Sequence, residues 1–169
     1  MLFHQKRILK MGKKNLGFTL IEILIVLSII AILLTLAMPS SNNRIIRIRV
    51  VESMELIDIY KPNIEQFYYA NNTFPIDNKT AGIPEPSKII GNYITDVIVD
   101  QGALHIVLGN KIFSNLVGKR VTIRPIYVDD SPNSPVSWIC GYDEAPQKMV
   151  AAGPNHTDLK LEFLPLKCR

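Results

Sequence analysis

One residue stands out for its chemistry. Glu22 is the single charged residue between Phe18 and Met38, a run of 21 residues that is otherwise apolar or hydroxylic. A charge held in hydrocarbon costs about 2.5 kcal/mol or more, so such a residue is expected to be partnered and functional. Gly17, immediately before the run, is the second candidate. A cut after it would remove the charged leader, keep the apolar run on the mature chain, and create a new amine on Phe18, four residues before Glu22. Cys140 and Cys168 are the only cysteines, and in an exported domain such a pair reads as a disulfide, with two free thiols as the alternative. His105 lies in a strand-like run and reads as structural. His156 and Asp158 could suggest acid–base work, but no nucleophile motif accompanies them. Asp129-Asp130 reads as a solvated turn rather than a calcium site, which needs six or more oxygen ligands. With no Gly-rich phosphate loop and no metal-ligand cysteine cluster, neither catalysis, a cofactor nor a metal is expected.

These residues need elements to position them. The run 18–38 would be roughly 31 Å long as a helix, enough for a bilayer core of about 30 Å. Lys6, Arg7, Lys10, Lys13 and Lys14 precede it without an acid. Arg44, Arg47 and Arg49 follow it, with Glu52, Glu55 and Asp58 close behind. The stronger basic excess is upstream, which places the N-terminus in the cytoplasm and exports the body. An ordinary secretory signal has a small-residue cleavage site after its apolar core, and Ala37-Met38-Pro39-Ser40 is a poor version of one. The overall charge of +4 comes mostly from the leader. Without residues 1–17 the chain holds 14 basic and 15 acidic residues, so the charge balance gives no preference for nucleic acid.

Beyond the apolar run, Pro39 predicts a kink or local unwinding. Ile46, Val50, Met54, Ile57, Tyr60, Ile64 and Phe67 then recur every three or four residues, one face of an amphipathic helix, with Arg47, Glu52, Glu55 and Asp58 on the other. Pro62 predicts a second bend. Ile45–Val51, with its arginines, faces either anionic lipid headgroups or, as the preferred reading, a solvated or salt-bridged surface. The simplest arrangement is one curved helix from about 18 to 70. A turn-rich segment covers 71–92. Strand signals follow at Tyr93–Val99 and Leu104–Leu108, joined by a turn at Asp100-Gln101-Gly102. Further strands are predicted at Val121–Val128, at Val136–Cys140, and as a short fifth at Leu159–Phe163. Pro125 marks an edge or a strand end, and the short connections favour antiparallel pairing. The fold class is α+β: a long N-terminal helix, transmembrane in its first half, packed on an antiparallel sheet of about four strands. The organisation is a leader at 1–17, a transmembrane helix at 18–38, its amphipathic continuation at 39–70, and a globular head at 71–169. About 110–130 residues remain outside leader and membrane helix, roughly one modest domain.

Lys13-Lys14-Asn15-Leu16-Gly17-Phe18-Thr19-Leu20-Ile21-Glu22 resembles the processing signature of type IV pilins and pseudopilins. The resemblance implies that a prepilin peptidase cuts between Gly17 and Phe18 and that Phe18 is N-methylated. It also implies that Glu22 pairs with the N-terminal amine of a neighbouring subunit and sets axial register. Attraction between two such charges is strong once both lose water. Trp138-Ile139-Cys140 and Leu164-Pro165-Leu166-Lys167-Cys168 are similar to elements bounding the C-terminal loop of many type IVa pilins, which implies a Cys140–Cys168 bridge. Closing a loop of about 29 residues would stabilise the head by about 3–4 kcal/mol in the chain-entropy model. The implied partners are further pilins in a helical filament, prepilin peptidase, and the assembly platform of the bacterial inner membrane, with DNA or a host surface left open. The assembled pilus would be extracellular, supporting adhesion, twitching motility or DNA uptake. A pseudopilin of a type II secretion or competence system is the alternative, and a membrane-anchored periplasmic binding protein a third reading. The cysteine pair and Trp138 favour the pilin branch, and Glu22 speaks against the minor tip subunit that lacks this carboxylate.

The 17-residue leader is longer than the six or seven residues common in the family. Either Met11 is the true start, giving Met-Gly-Lys-Lys-Asn-Leu-Gly, or the first ten residues are dispensable. If Met11 is the start, immunoblots that separate precursor from mature chain should show processing lost in Met11→Ala and kept in Met1→Ala. The reverse pattern would put the start at Met1.

Overall fold

The computed structural model describes residues 17–37 and 41–169. The leader up to Leu16, including Met11, and the predicted kink at Pro39 lie outside the described residues. The chain divides into two compact units, 1–39 and 40–169. The first contains helix α1, Leu20–Ala37.

The second unit opens on α2, Ser41–Ile57, passes through a 3-10 turn at Asp58–Tyr60, and continues as α3, Lys61–Asn71. The turn falls where Pro62 removes a backbone donor. A regular helix would bring residue 62 N–H to the Asp58 carbonyl, and Lys61 N–H bonds that carbonyl instead. Pro62 itself sits in the first turn of α3, where no N–H is needed. The buried stripe is Ile46, Val50, Met54, Ile57, Ile64 and Tyr68. Its last member is Tyr68 rather than the expected Phe67, and Tyr60 is only half-buried. Aromatic packing accounts for the choice, because Tyr68 stacks on Phe74 at 4.4 Å between ring centres and tilts against Tyr127 at 5.5 Å.

The strands are β1 (Ile94–Asp100), β2 (Ala103–Leu108), β3 (Arg120–Tyr127), β4 (Ser137–Cys140) and β5 (Val150–Ala151), all paired antiparallel. Four follow the order β1-β2-β3-β4, and β5 adds to β3. Gln101 and Gly102 both adopt positive φ, 50° and 86°, the left-handed pair that a two-residue hairpin turn requires. Ile126 pairs with Ser137 of β4 and Ala151 of β5, so those strands flank β3 on opposite sides and β5 continues the line of β2. Pro125 falls between the end of β2 and the start of β5. Its missing donor is not called on there, and its carbonyl accepts from Ala152 N–H at 2.9 Å. The expected fifth strand at Leu159–Phe163 is instead a 3-10 turn, Leu161–Phe163. Its buried residues are Leu159, Phe163 and Leu164, a helical spacing rather than alternation.

Register divides the sheet into two faces. Leu104, Ile106, Val121, Ile123 and Cys140 lie on the inner face and share the core with the α2–α3 stripe. His105 and Thr122, paired across β2 and β3, lie on the outer face. Arg44 is exposed, as expected of a solvated surface, but Arg47 and Arg49 turn to the head instead. Arg47 donates to the Glu162 carbonyl at 2.9 Å. Arg49 donates to the Lys111 carbonyl at 3.1 Å, with its guanidinium 4.5 Å from the Phe113 ring centre and 5.3 Å from that of Tyr93.

The segment 72–93 packs Ala81, Ile83 and Ile89 into the core, and its buried polar side chain Asn78 docks on the sheet edge. Asn78 Nδ2 donates to the Val97 and Pro84 carbonyls, each at 2.8 Å, and Oδ1 accepts from Val99 N–H at 2.7 Å. Asn78 thereby satisfies backbone groups that an edge strand would otherwise leave open. Asn78→Ala should lower unfolding free energy by about 2–3 kcal/mol, since it strands a buried donor and acceptor of β1. Urea titration of the detergent-solubilised chain measures this, and a loss within about 0.5 kcal/mol would show that the edge needs no such cover.

Candidate functional site

Gly17, Phe18 and Thr19 precede α1 in non-helical conformation. The Thr19 carbonyl accepts from Glu22 N–H at 3.1 Å and Ile23 N–H at 3.4 Å, which begins the helix. Glu22 therefore stands in the first turn, where unpaired backbone N–H groups favour a negative charge. No side chain crowds Gly17, and a Cβ there would meet nothing within 4 Å. Phe18 is 78% exposed.

The rest of α1 is a wall of Leu, Ile, Val and Ala, and every described side chain from Phe18 to Thr35 is exposed within the single chain. Its hydroxyls are satisfied internally. Ser28 donates to the Leu24 carbonyl and Thr35 to the Ile32 carbonyl, the latter at 2.7 Å. Glu22 is left as the one charged group on a helix that is apolar all round, and a helix of that kind belongs in a large protein interior or a membrane. The 18 residues of α1 would extend about 27 Å, slightly under a hydrocarbon core of about 30 Å. No helix among the described residues is long and apolar enough to cross a membrane by itself. The spanning run 18–38 expected from the sequence extends beyond the described helix at both ends.

At the other end of the chain, Cys140 and Cys168 are joined in a disulfide, with Cα atoms 4.6 Å apart. Both are buried, and Cys168 Sγ lies 4.0 Å from Met54 Sδ of α2. Gly141 adopts φ +63°, and a Cβ there would collide with the Cys168 carbonyl oxygen, so glycine lets the two chain segments close on each other. The Cys168 carbonyl accepts from Tyr142 N–H at 2.9 Å. Trp138 fastens β4 to α3 through an Nε1–H bond to Glu65 at 2.7 Å.

Residues 47–169 match the family described as pilin, the bacterial filament protein. The chain belongs to the pilin family. Residues 12–38 match the prokaryotic N-terminal methylation motif, which contains Gly17, Phe18 and Glu22. This pilin is similar to the type IV major pilin PilE1 of Neisseria gonorrhoeae, 30% identical over 159 residues, 90% of this chain and 86% of the relative. A fimbrial protein of Neisseria meningitidis serogroup B is 28% identical over 162 residues, covering 90% and 93%. The fimbrial protein EcpC of Eikenella corrodens is 29% identical over 154 residues, 90% of each. Type IV pilins are inner-membrane prepilins, processed by prepilin peptidase and assembled into surface filaments, and they are structural subunits rather than enzymes.

The remaining polar candidates of this pilin are placed as follows. Asp158 does not face His156 as an acid–base partner. Its carboxylate accepts from Arg120 N–H at 2.6 Å and lies 3.6 Å from Lys119 Nζ, which pins the C-terminal loop to β3. Asp129 and Asp130 are both exposed, and no third ligating residue joins them among the described residues. His105 is buried, as a strand histidine should be, but the contact of its ring with His156 at 4.5 Å was not legible from residues 51 positions apart. Gly153 is the local signal for that contact. A Cβ there would meet the Asp100 carbonyl at 2.6 Å and Ala103 Cβ at 2.7 Å, so only glycine lets this loop lie against the hairpin.

Burial lowers the His105 pKa to about 4, with His156 adding to the effect. In the unfolded chain the ring titrates near 6.5. The unfolded state therefore holds more protons between those values, and stability rises with pH. The contribution is fully present above about pH 6.5 and is lost as pH falls toward 4, by on the order of 3 kcal/mol in total. Denaturation of the chain in a chelating buffer should show this loss across that window, and His105→Gln should flatten it. An unaltered slope in the variant would assign the acid lability to other groups.

Proposed function

We propose that this chain is a subunit of a type IV pilus in which the residues leading into α1 are the processing site and the first turn of α1, with Glu22, is the assembly contact. Prepilin peptidase cuts between Gly17 and Phe18 and methylates the new Phe18 amine. The leader's five basic residues hold the N-terminus in the cytoplasm until then, and the head is exported. The observation that carries this reading is a helix apolar on every side, exposed at every described side chain from Leu20 to Thr35, with one carboxylate in its first turn. Such a surface needs lipid before assembly and neighbouring copies of α1 after it. In the filament interior an unpaired Glu22 would remain costly, and the Phe18 amine of an adjacent subunit is the cation that cleavage supplies. The pair selects one axial register among many that an all-apolar helix would tolerate.

The buried disulfide and the similarity to major pilins support a pilus subunit over a secretion or competence pseudopilin. Surface adhesion, twitching motility and DNA uptake are the roles such a filament would support.

Mass spectrometry of filaments sheared from cells should find abundant chains beginning at N-methylated Phe18. Glu22→Ala should be cleaved and retained in the membrane fraction, with sheared filaments reduced at least tenfold. Normal filament yield from Glu22→Ala would overturn the assembly role. Retention of the wild-type chain in membranes, with none in sheared filaments, would overturn the pilus-subunit reading in favour of a pseudopilin.

A further inference from the structure

The outer face of the sheet carries a polar cluster that the filament reading does not use. His105, on β2, is opposite Ile98 of β1 and Thr122 of β3. Asp100 is two residues along from Ile98, so its side chain shares the outer face and lies diagonal to His105. His156 reaches the same place from the loop that the disulfide closes. Gly153 allows the close approach, and His156 N–H donates to Thr122 Oγ1 at 3.0 Å. Thr122 N–H in turn donates to Thr157 Oγ1 at 3.0 Å, so the loop is fixed to β3 on both sides of the histidine ring.

His105 is 2% exposed, and its two ring nitrogens differ. Nδ1 lies 2.9 Å from Thr122 Oγ1, whereas Nε2 is buried with no hydrogen-bond partner among the described residues. Buried ring nitrogens are rarely left this way. Asp100, His105 and His156 each offer a ligand atom, and these atoms all lie within 4.8 Å of one another.

We propose that Asp100, His105 and His156 form a binding site for a divalent transition-metal ion of the zinc class. Two imidazole nitrogens and one carboxylate oxygen suit zinc, copper or nickel, and three protein ligands leave a further position open. Calcium and magnesium, which take oxygen ligands, fit poorly. In the tautomer where Nδ1–H donates to Thr122 Oγ1, Nε2 presents its lone pair to the ion, and Thr122 sets the ring orientation as an outer partner commonly does. Ligand atoms about 2.0–2.1 Å from a metal stand about 3–3.5 Å apart, so the site must tighten on binding. The rings of His105 and His156 are stacked, with 22° between planes, and the ring that turns is that of His156, which is exposed. The ion would clip the C-terminal loop to the β1–β2 hairpin, a second crosslink beside the disulfide.

The test titrates zinc into the purified full chain in detergent, by calorimetry and by thermal melts with zinc or with chelator. Asp100→Asn and His156→Ala are compared with the unaltered chain. His156 is exposed, so its removal leaves the core intact, which an unchanged melting temperature in chelator verifies. The expected result is one zinc per chain, a melting temperature raised by zinc and returned by chelator, and at least a tenfold loss of affinity in both variants. If the histidines merely stack, the unaltered chain will bind no zinc saturably, or His156→Ala will bind it as tightly as the unaltered chain, and either result overturns the site.

Discussion

Burial of Ile46, Val50, Met54, Ile57, Ile64 and Tyr68 against the sheet is the constraint from which the head's other features follow. Because side chains alternate along a strand, committing one face to the helix commits the other to a separate fate. Leu104, Ile106, Val121 and Ile123 go inward, which forces His105 and Thr122 outward. An outward histidine would ordinarily meet water. Here the loop after β5 covers it, held by Gly153 and by reciprocal bonds between Thr122 of β3 and the loop's His156 and Thr157. The same alternation places Trp138 and Cys140 of β4 inward, Trp138 toward Glu65 of α3 and Cys140 toward Cys168, whose sulfur lies against Met54 of α2. The disulfide thus closes beside the helix stripe, and the C-terminus is held at the core rather than at the rim.

The helix α1 obeys a different constraint. It has no polar face to turn outward and no described side chain buried within the chain, so its cover comes from lipid or from other copies. That separation suits a filament subunit. The head satisfies its own apolar surface and its own backbone at the β1 edge through Asn78, leaving α1 as the large unsatisfied surface.

Much of this was legible in the sequence, for identifiable reasons. The four main strands, the hairpin turn and the helix stripe come from local alternation, helical periodicity and turn chemistry, which short segments encode by themselves. The misses share a physical cause. Tyr68 replaced Phe67 in the core because Phe74 and Tyr127, distant in sequence, supply its stacking partners. Leu159–Phe163 was apolar enough for a strand, but its place beneath the core edge favoured a helical spacing of buried residues. Helical periodicity puts the arginines of α2 on a solvated or salt-bridged face, and backbone carbonyls and aromatic rings of the head take Arg47 and Arg49 from it.

By itself the sequence determined the family, the position of the lone carboxylate Glu22 within the methylation motif, and the α+β class. All of these reside in contiguous residues whose meaning does not depend on where the chain goes next. Only the tertiary structure decided the environment of His105, the docking of Asn78 on the sheet edge, and the approach of His156 to Asp100. All three depend on strand register, and the two that involve His156 depend also on a loop that only Gly153 lets pass close enough, and neither is written in any local stretch of residues.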